Sequence, residues 1–209
     1  GPVTTFSTLT VVSENRLIKI PKNYSLKEAV LFGCAIPTGA GMVINQSKNI
    51  KNKIVSITGL GGVGLMALLA ARAVGCKKII AIDINEKKLK VAKKLGANFI
   101  VNPKEKNFNK LINKITNSKG VDYGLECAGK TTTIELTFSI LNKKNGQCIF
   151  CSHPEHGKKI MIDPFELING KELKGSWGGG VYPDKDIKNI AKKIFIFKKQ
   201  RFSIKFIRI

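Results

Sequence analysis

A glycine-rich loop between an apolar strand-like run and a long apolar helical run constrains the fold more than any other feature. The run Ile54–Thr58 is short and rich in β-branched residues, which predicts a buried strand. The loop Gly59–Gly64 fits the pattern G-x-G-x-x-G, and Val63–Gly75 then predicts a helix that ends at a glycine. An acid, Asp83, ends the next strand-like run, 24 residues after Gly59. This order of elements predicts a βαβ unit that binds a dinucleotide.

Each glycine of the motif has a physical role in that interpretation. Gly59 permits a tight turn, Gly61 removes a side chain where a diphosphate approaches the backbone, and Gly64 lets the helix pack against the strand. The helix N-terminus offers amide groups to the diphosphate, and Asp83 is placed to accept hydrogen bonds from the adenosine ribose. Because a carboxylate there repels the extra phosphate of NADP, we expect NAD, with a purely structural glycine turn as the alternative.

The rest of the chain continues to alternate strand-like and helix-like segments. Further strands are predicted over Lys78–Asp83, Asn98–Val101, Val121–Ala128, Gln147–Ser152 and Glu172–Trp177. Further helices are predicted over Asn85–Leu95, Asn107–Asn117, Thr131–Leu141 and Pro164–Ile168. Two βαβαβ-like halves of this kind predict an α/β fold with a doubly wound, parallel, six-stranded Rossmann sheet in the strand order 3-2-1-4-5-6.

Both ends of the chain lie outside the predicted sheet. Two strand-like runs, TFSTLTVV (5–12) and RLIKIP (16–21), precede a helical segment over Leu26–Phe32. Near the other end, Ile187–Phe197 predicts a helix. The tail Arg201–Ile209 alternates apolar and polar residues, which favours a half-buried strand over a basic surface-binding strip.

The chain is strongly basic, with a formal net charge of +22. Such a charge is also typical of nucleic-acid-binding proteins. The lysines are dispersed in pairs without interleaved aromatic residues, however, so we interpret them as a solvated surface and expect no specific nucleic-acid partner. No run of eighteen apolar residues and no signal-peptide pattern occur, so we also expect no membrane span.

The chain has five cysteines: Cys34, Cys76, Cys127, Cys148 and Cys151. This odd number, mostly in apolar runs, favours reduced thiols and a cytoplasmic location. Cys148 and Cys151 have CxxC spacing within a predicted strand, where alternation sends the two sulfurs to opposite faces, and we interpret them as buried small residues. A metal cluster of Cys151, His153 and His156 is the less favoured alternative. Glu126 ends the fourth strand and either orients the loop near a nicotinamide or caps the local backbone.

Five motifs stand in order along the chain: GCAIPTGAG (33–41), ITGLGGVGL (57–65), IDINEKKLKVAKKLGA (82–97), GVDYGLECAG (120–129) and LKGSWGGG (173–180). Together they resemble the zinc-dependent medium-chain alcohol dehydrogenases, from about Thr5 to Ile190. The resemblance implies hydride transfer between a primary or secondary alcohol and NAD, assisted by zinc. It divides the chain into residues 1–34, a remnant of a GroES-like catalytic domain; 35–178, the NAD-binding Rossmann domain; and 179–209, which returns toward the catalytic domain.

The resemblance also assigns residues to the cofactor and the metal. It places one zinc ligand at Cys34 and no catalytic residue within the chain. It implies that Thr38, Ser152 and His153 lie beside the nicotinamide, and that Asp83 and Lys88 lie at the adenosine. The full predicted cofactor-binding set is Thr38, Gly59, Gly61, Gly62, Val63, Gly64, Asp83, Ile84, Lys88, Cys127, Ser152 and His153.

Several family features have no counterpart in these motifs. The two other zinc ligands and the proton-relaying hydroxyl would precede residue 1, and the four-cysteine structural zinc lobe is not found. For the whole enzyme we expect an alcohol or aldehyde substrate and a homodimer or homotetramer built through an edge of the Rossmann sheet. The alternatives are a catalytically inert NAD-binding fragment and a zinc-free, NADPH-dependent quinone or enoyl reductase of the same superfamily.

Overall fold

Six parallel strands form the centre of the computed structural model, which describes residues 6–20 and 24–199. The strands are β1 (Ile54–Thr58), β2 (Lys78–Ile82), β3 (Phe99–Val101), β4 (Tyr123–Glu126), β5 (Gln147–Phe150) and β6 (Glu172–Gly175). They lie in the order β3-β2-β1-β4-β5-β6, and every neighbouring pair is parallel. The predicted fold class and strand order are confirmed.

Eight α-helices accompany the sheet in the described residues. They are α1 (Leu26–Ala29), α2 (Ala35–Gly41), α3 (Gly62–Ala73), α4 (Glu86–Lys94), α5 (Phe108–Thr116), α6 (Thr131–Ser139), α7 (Pro164–Ile168) and α8 (Pro183–Lys199). Polar caps fix some of the starts: the Asn85 side chain accepts hydrogen bonds from the first-turn amides of α4, and Asp163 caps α7. Among the described helices, no single one is long and apolar enough to span a membrane. The bent pair Leu26–Gly33 and Ala35–Gln46 meets that test by length and composition only.

Side chains from the two faces of the sheet enter two separate hydrophobic clusters. One cluster joins β1 and β4 to α2, α3 and α8, and it includes Ile57, Leu68 and Ile190. The other joins β2 and β5 to α5 and α6, and it includes Ile82 and Phe138. Because both faces of this parallel sheet are covered, every residue of the central strands β1 and β4 except the first is buried.

The strands predicted for the first twenty residues are absent from the described segment 6–20. That segment is irregular apart from a 3-10 turn at Glu14–Arg16, and Phe6, Leu9 and Val11 are exposed. The prediction is wrong there because a strand needs a neighbour for its amide and carbonyl groups, and no described segment pairs with this one.

The terminal helical segments pack against the Rossmann core. The predicted segment Leu26–Phe32 is α1 followed by a 3-10 turn at Val30–Gly33. The helix expected from Ile187 begins earlier, at Pro183, and the buried side chain of Ile187 joins the cluster around α3. The Tyr24 hydroxyl donates a hydrogen bond to the Ala191 carbonyl over 2.9 Å, which ties the N-terminal segment to α8. The tail predicted as a strand, 201–209, lies outside the described residues.

Residues 35–46 form a helix that the sequence analysis did not assign. The α-helical part, α2, continues as a π-helical turn over Met42–Gln46. A β-carbon added at Gly39 would overlap the carbonyl oxygen of Val63 in α3, and one added at Gly41 would lie 2.5 Å from the carbonyl oxygen of Gly179. The glycines therefore let the backbone of α2 lie directly against its neighbours, and this contact replaces the apolar side-chain periodicity that usually signals a helix.

Candidate functional site

The carboxyl ends of β1 and β4 meet where the strand order reverses. The chain leaves β1 toward α3 on one face of the sheet and leaves β4 toward α6 on the other face. In open parallel sheets, ligands bind at such a switch point. We call the loops after β1, β2, β4 and β5 at this edge, residues 59–64, 83–85, 127–130 and 151–153, the carboxyl-edge site.

Three glycines shape the loop after β1. Gly59 has a φ of +90°, and a β-carbon there would lie 2.7 Å from the amide nitrogen of Ala128, so conformation and space both require glycine. A β-carbon at Gly64 would overlap the carbonyl oxygen of Gly59, so α3 begins directly against the loop. At Gly61, by contrast, a β-carbon would meet no described atom within 4 Å.

The open space at Gly61 adjoins the first turn of α3. Gly61 is the N-cap of this helix and supplies no side-chain cap, while Gly62 is exposed and Val63 is half-buried. Amide groups at such a helix start carry a partial positive charge and have no acceptor within the helix. These residues therefore fit the diphosphate group of a dinucleotide.

Asp83 follows β2 and links two loops of the carboxyl-edge site. One carboxylate oxygen accepts a hydrogen bond from the Leu60 amide over 2.8 Å, and the other accepts one from the Asn85 amide over 2.9 Å. Each oxygen has a second lone pair, so the carboxylate retains acceptor capacity for two hydroxyl groups. Next to it, Ile84 is exposed, and Lys88 is half-buried on α4. The link to the glycine loop is a structural role that the sequence analysis did not predict.

Glu126 ends β4 and is completely buried. Its Oε1 accepts hydrogen bonds from the Ala128 amide (2.8 Å), the Gly129 amide (2.9 Å) and the Thr133 hydroxyl (2.7 Å). Burial raises the pKa of Glu126, while the hydrogen bonds from Thr133, Gly129 and Ala128 act in the opposite direction. The structure thus supports the backbone-capping alternative: this carboxyl holds the turn between β4 and α6 in place.

The loop after β5 packs against the loop after β4. A β-carbon added at Gly129 would lie 3.0 Å from the Cβ of Ser152, so the two loops are in close contact. The next residue, His153, is exposed, and its ring meets the exposed Trp177 ring edge-to-face, with 5.5 Å between centroids. The two residues are far apart in the sequence, but His153 comes three residues after the end of β5 and Trp177 two residues after the end of the neighbouring β6, which is the signal that points to this pair.

Cys34 and Thr38 stand on the other side of the glycine loop. Cys34 is exposed just before α2, and its carbonyl oxygen accepts a hydrogen bond from the Thr38 amide over 3.0 Å. A β-carbon added at Gly62 would lie 3.6 Å from the Cβ of Ala35, so the start of α2 borders the first turn of α3. The structure therefore brings Cys34, Thr38 and the glycine loop to one region.

The described residues do not by themselves fit a zinc site. A catalytic zinc needs three protein ligands, yet in residues 6–20 and 24–199 no three His, Cys, Asp or Glu side chains come together as a metal site. Cys34 is one thiol without a second ligand in that part of the chain. The cluster of Cys151, His153 and His156 considered from the sequence is likewise not formed there.

The cysteines are all free thiols. Cys148 is buried in the cluster around Phe138, whereas Cys151 packs against the opposite cluster, so the predicted separation of this CxxC pair onto two faces is confirmed. Cys151 lies just beyond the end of β5 and is only half-buried. Burial raises the pKa of both Cys148 and Cys76 to about 12, which keeps these two thiols protonated.

Comparisons with known proteins agree with this architecture. The family model described as zinc-binding dehydrogenase matches residues 62–195. The chain is 36% identical over 204 residues to alcohol dehydrogenase class-2 isozyme 2 of Oryctolagus cuniculus, a match that covers 97% of this chain and 52% of that protein. The chain therefore spans about half the length of this relative.

Two solved structures show the same arrangement of strands and helices. Benzyl alcohol dehydrogenase from Acinetobacter calcoaceticus superposes with a TM-score of 0.83 and 32% identity, over 93% of this chain and 52% of that one. An alcohol dehydrogenase zinc-binding domain protein from Burkholderia ambifaria gives the same TM-score and identity, over 93% of this chain and 51% of that one.

Proposed function

Since the chain belongs to the zinc-dependent medium-chain alcohol dehydrogenase family, we propose that it forms the NAD-binding part of an alcohol dehydrogenase. The observation that carries this proposal is the open space at Gly61, at the uncapped start of α3 and beside the Asp83 carboxylate. A diphosphate occupies the space where a side chain would otherwise stand, and the ribose next to it hydrogen-bonds to Asp83.

The same carboxylate supports NAD rather than NADP. The Asp83 oxygens already accept two backbone hydrogen bonds, which fix the carboxylate in place. A 2′-phosphate at this position would meet a negative charge that cannot turn away without releasing the Leu60 and Asn85 amides. Lys88 lies on the neighbouring helix and supplies a positive charge to the adenosine side of the site.

We propose hydride transfer between a primary or secondary alcohol and NAD as the reaction of the whole enzyme. Relatives named alcohol dehydrogenase and benzyl alcohol dehydrogenase support this class of substrate. In it, this chain binds and orients the cofactor: Thr38, Cys127, Ser152 and His153 border the nicotinamide end, and Glu126 fixes the turn on which Cys127 stands. Cys34 is the one residue that we assign to zinc, and in isolation the chain is a cofactor-binding module without turnover.

An edge of the sheet supports the proposal that the enzyme forms a homodimer or homotetramer. β6 pairs only with β5, so its outer edge has no strand neighbour among the described residues. Large apolar side chains are exposed in the segments that precede and follow β6 in the sequence, namely Met161, Phe165, Leu167, Ile168 and Trp177. A free strand edge together with exposed apolar side chains suits a symmetric contact with a second copy. The five free thiols support a cytoplasmic location.

The test of cofactor binding is calorimetric titration of NAD into the chain and into two glycine variants. Gly61→Ala adds a methyl group to space that is empty in the protein, so the variant folds normally. NAD affinity should fall about fivefold to 150-fold, because overpacking costs on the order of 1–3 kcal/mol. Gly33→Ala is the matched control, since a β-carbon there also meets no atom within 4 Å, and its affinity should equal that of the parent chain.

Thermal unfolding with each nucleotide then tests the choice of cofactor. NAD at one hundred times its dissociation constant should add about 2.7 kcal/mol of stability. If titration of NAD into the folded parent chain gives no saturable heat, the proposed cofactor site is wrong. A larger stabilisation by NADP than by NAD would instead favour the zinc-free reductase alternative.

A further inference from the structure

Two thiols face each other at the carboxyl ends of β4 and β5. The last pair in register between these strands is Glu126 with Phe150, and the residues that follow are Cys127 and Cys151. The pairing continues by one step, because the Cys151 amide donates a hydrogen bond to the Glu126 carbonyl over 3.2 Å. Both side chains pack against the same hydrophobic cluster, so they lie on one face of the sheet.

We propose that Cys127 and Cys151 form an oxidisable dithiol within the carboxyl-edge site, which a peroxide converts to a disulfide that weakens cofactor binding. Formation of the disulfide is argued from the positions of the two cysteines alone. Its effect on cofactor binding rests on the proposed NAD site.

The spacing of the strands allows the bond to form after a local movement of the two residues, without a change in the strand order. Neighbouring strands lie about 4.8 Å apart, which falls within the range of roughly 4.4–6.8 Å between the Cα atoms of disulfide-bonded cysteines. Both residues lie just beyond the regular strand ends, so their backbones are not held by ladder bonds on both sides. A disulfide between adjacent strands is strained relative to one between loops, and strained disulfides are readily reduced again.

The two sulfurs have different reactivities. The Cys151 thiol donates a hydrogen bond to the Glu126 carbonyl over 3.5 Å and is in contact with the Ser152 hydroxyl. The neighbouring Cys127 thiol is the largest influence that lowers the pKa of Cys151, while the Cys151 thiol and burial raise the pKa of Cys127. Since the thiolate is the nucleophile in thiol oxidation, we assign Cys151 as the attacking residue and Cys127 as the resolving residue.

The reaction proceeds in two steps with hydrogen peroxide as the oxidant. The Cys151 thiolate attacks one peroxide oxygen, the O–O bond breaks, and a sulfenic acid and hydroxide form. The Cys127 sulfur then attacks the Cys151 sulfur, the S–O bond breaks, and hydroxide leaves and takes up the Cys127 proton. In sum, two thiols and one peroxide give one disulfide and two waters, with both sulfurs oxidised and the peroxide oxygens reduced.

Cys127 is also in contact with the glycine loop. A β-carbon added at Gly64 would lie 3.6 Å from the Cβ of Cys127, and one at Gly59 would lie 2.8 Å from the Cys127 carbonyl carbon. The loop is therefore packed against the backbone of Cys127 with little free space. Movement of Cys127 toward Cys151 therefore displaces the glycine loop that packs against it, and the amide groups at Gly61 lose their alignment for a diphosphate.

The other three cysteines lack such a partner position. Cys148 belongs to the opposite cluster, and Cys76 lies beside the Ile50 carbonyl, away from the carboxyl-edge site. Cys34 stands exposed before α2. Cys76→Ser is thus a matched control for Cys151→Ser, because each removes one half-buried thiol.

The experiment treats the folded chain with hydrogen peroxide and maps disulfides by mass spectrometry after trypsin digestion. We expect a link between the peptide of residues 120–130 and the peptide of residues 145–158, with a fall from five free thiols to three that dithiothreitol reverses. The link should persist in Cys76→Ser and disappear in Cys151→Ser. Absence of this link in the folded parent chain, or its persistence in Cys151→Ser, would overturn the dithiol.

Calorimetry with NAD on the reduced and oxidised chains tests the effect on cofactor binding. Oxidation of the parent chain should weaken NAD binding by about fivefold or more, which is the lower range of coupling between sites. The Cys151→Ser variant should bind NAD with the same affinity before and after treatment with peroxide. A disulfide that forms without a change in affinity would overturn the coupling. If the reduced chain binds no NAD, the cofactor proposal and the coupling both fail, while the peptide link still decides the dithiol.

Discussion

The sharpest structural prediction concerns Glu126, whose single oxygen holds the turn between β4 and α6. Glu126→Ala leaves the amides of Ala128 and Gly129 without their acceptor, while the Thr133 hydroxyl can still donate to the Lys130 carbonyl over 2.8 Å. Ala128 is exposed and Gly129 is only partly buried, so water can replace part of what these amides lose, and each lost hydrogen bond contributes roughly 0.5–1.5 kcal/mol net. We therefore expect the variant to lose about 2 kcal/mol of unfolding free energy.

Glu126→Gln separates the hydrogen bonds from the charge. Its amide oxygen still accepts from Ala128, Gly129 and Thr133, so the turn remains in place. Its NH2 group replaces Oε2, a buried atom without a hydrogen-bond partner among the described residues, which adds a cost that does not depend on pH. Burial raises the pKa of Glu126 above its ordinary value of 4.5, so the folded protein holds this proton more tightly than the unfolded chain does. The contribution of Glu126 to the stability of the parent protein is therefore fully present below pH 4.5 and is lost as the pH rises from there through the raised folded pKa. The glutamine variant does not titrate at this position and lacks that loss.

Urea unfolding followed by circular dichroism, at several pH values from 4.5 upward, measures both effects. The stability of the parent relative to Glu126→Gln should decrease as the pH rises, while Glu126→Ala should be less stable than both at every pH. An alanine variant within about 0.5 kcal/mol of the parent would refute the bonding argument, since that is the usual range of surface substitutions. If the difference in unfolding free energy between the parent and Glu126→Gln does not change with pH, burial does not raise the pKa of Glu126 as argued.

Two further predictions follow from buried and exposed groups elsewhere. Lys171 has a side chain only 2% exposed, and its ammonium donates to Glu166 over 2.6 Å and to the Phe138 carbonyl over 3.2 Å. Lys171→Ala should lower the free energy of unfolding in urea by about 2 kcal/mol, less than for a fully buried ion pair because Glu166 is partly solvated. Lys171→Met, which keeps the apolar part of the side chain, should stay within about 1 kcal/mol of the parent. A chelator should leave the melting temperature of the chain unchanged, because Cys34 has no second zinc ligand among the described residues; a drop in a calorimetric scan would contradict this.

The sequence pattern predicted the sheet well because each strand is a separate apolar run bounded by turn residues. Its errors at the strand ends are systematic: four predicted strands extend one or more residues beyond the observed carboxyl ends, into Asp83, Cys127, Cys151 and Ser176. These residues continue the pattern of the strand, but they belong to loops whose contacts come from other segments. Local periodicity carries no information about those contacts.

The lack of information about tertiary contacts also explains the other features that the sequence did not predict. α2 is held by backbone contacts at Gly39, and such contacts do not produce the helical periodicity of apolar residues that predicts a helix. The role of Glu126 depends on donors that lie two to seven residues later, in a turn whose shape is set by the fold. The N-terminal run has a strand-like sequence, but no strand within residues 6–20 and 24–199 pairs with it.

The contact of α2 with α3 determines which distances in the enzyme stay constant. Cys34 directly precedes α2, and one turn later Gly39 rests on the carbonyl of Val63, in the first turn of the proposed diphosphate helix. Because the backbones of α2 and α3 are in direct contact, we expect the two helices to move together as one rigid unit. If a catalytic domain rotates to open or close over the substrate, the cofactor and this thiol travel together, and only the separation from groups on the other side changes.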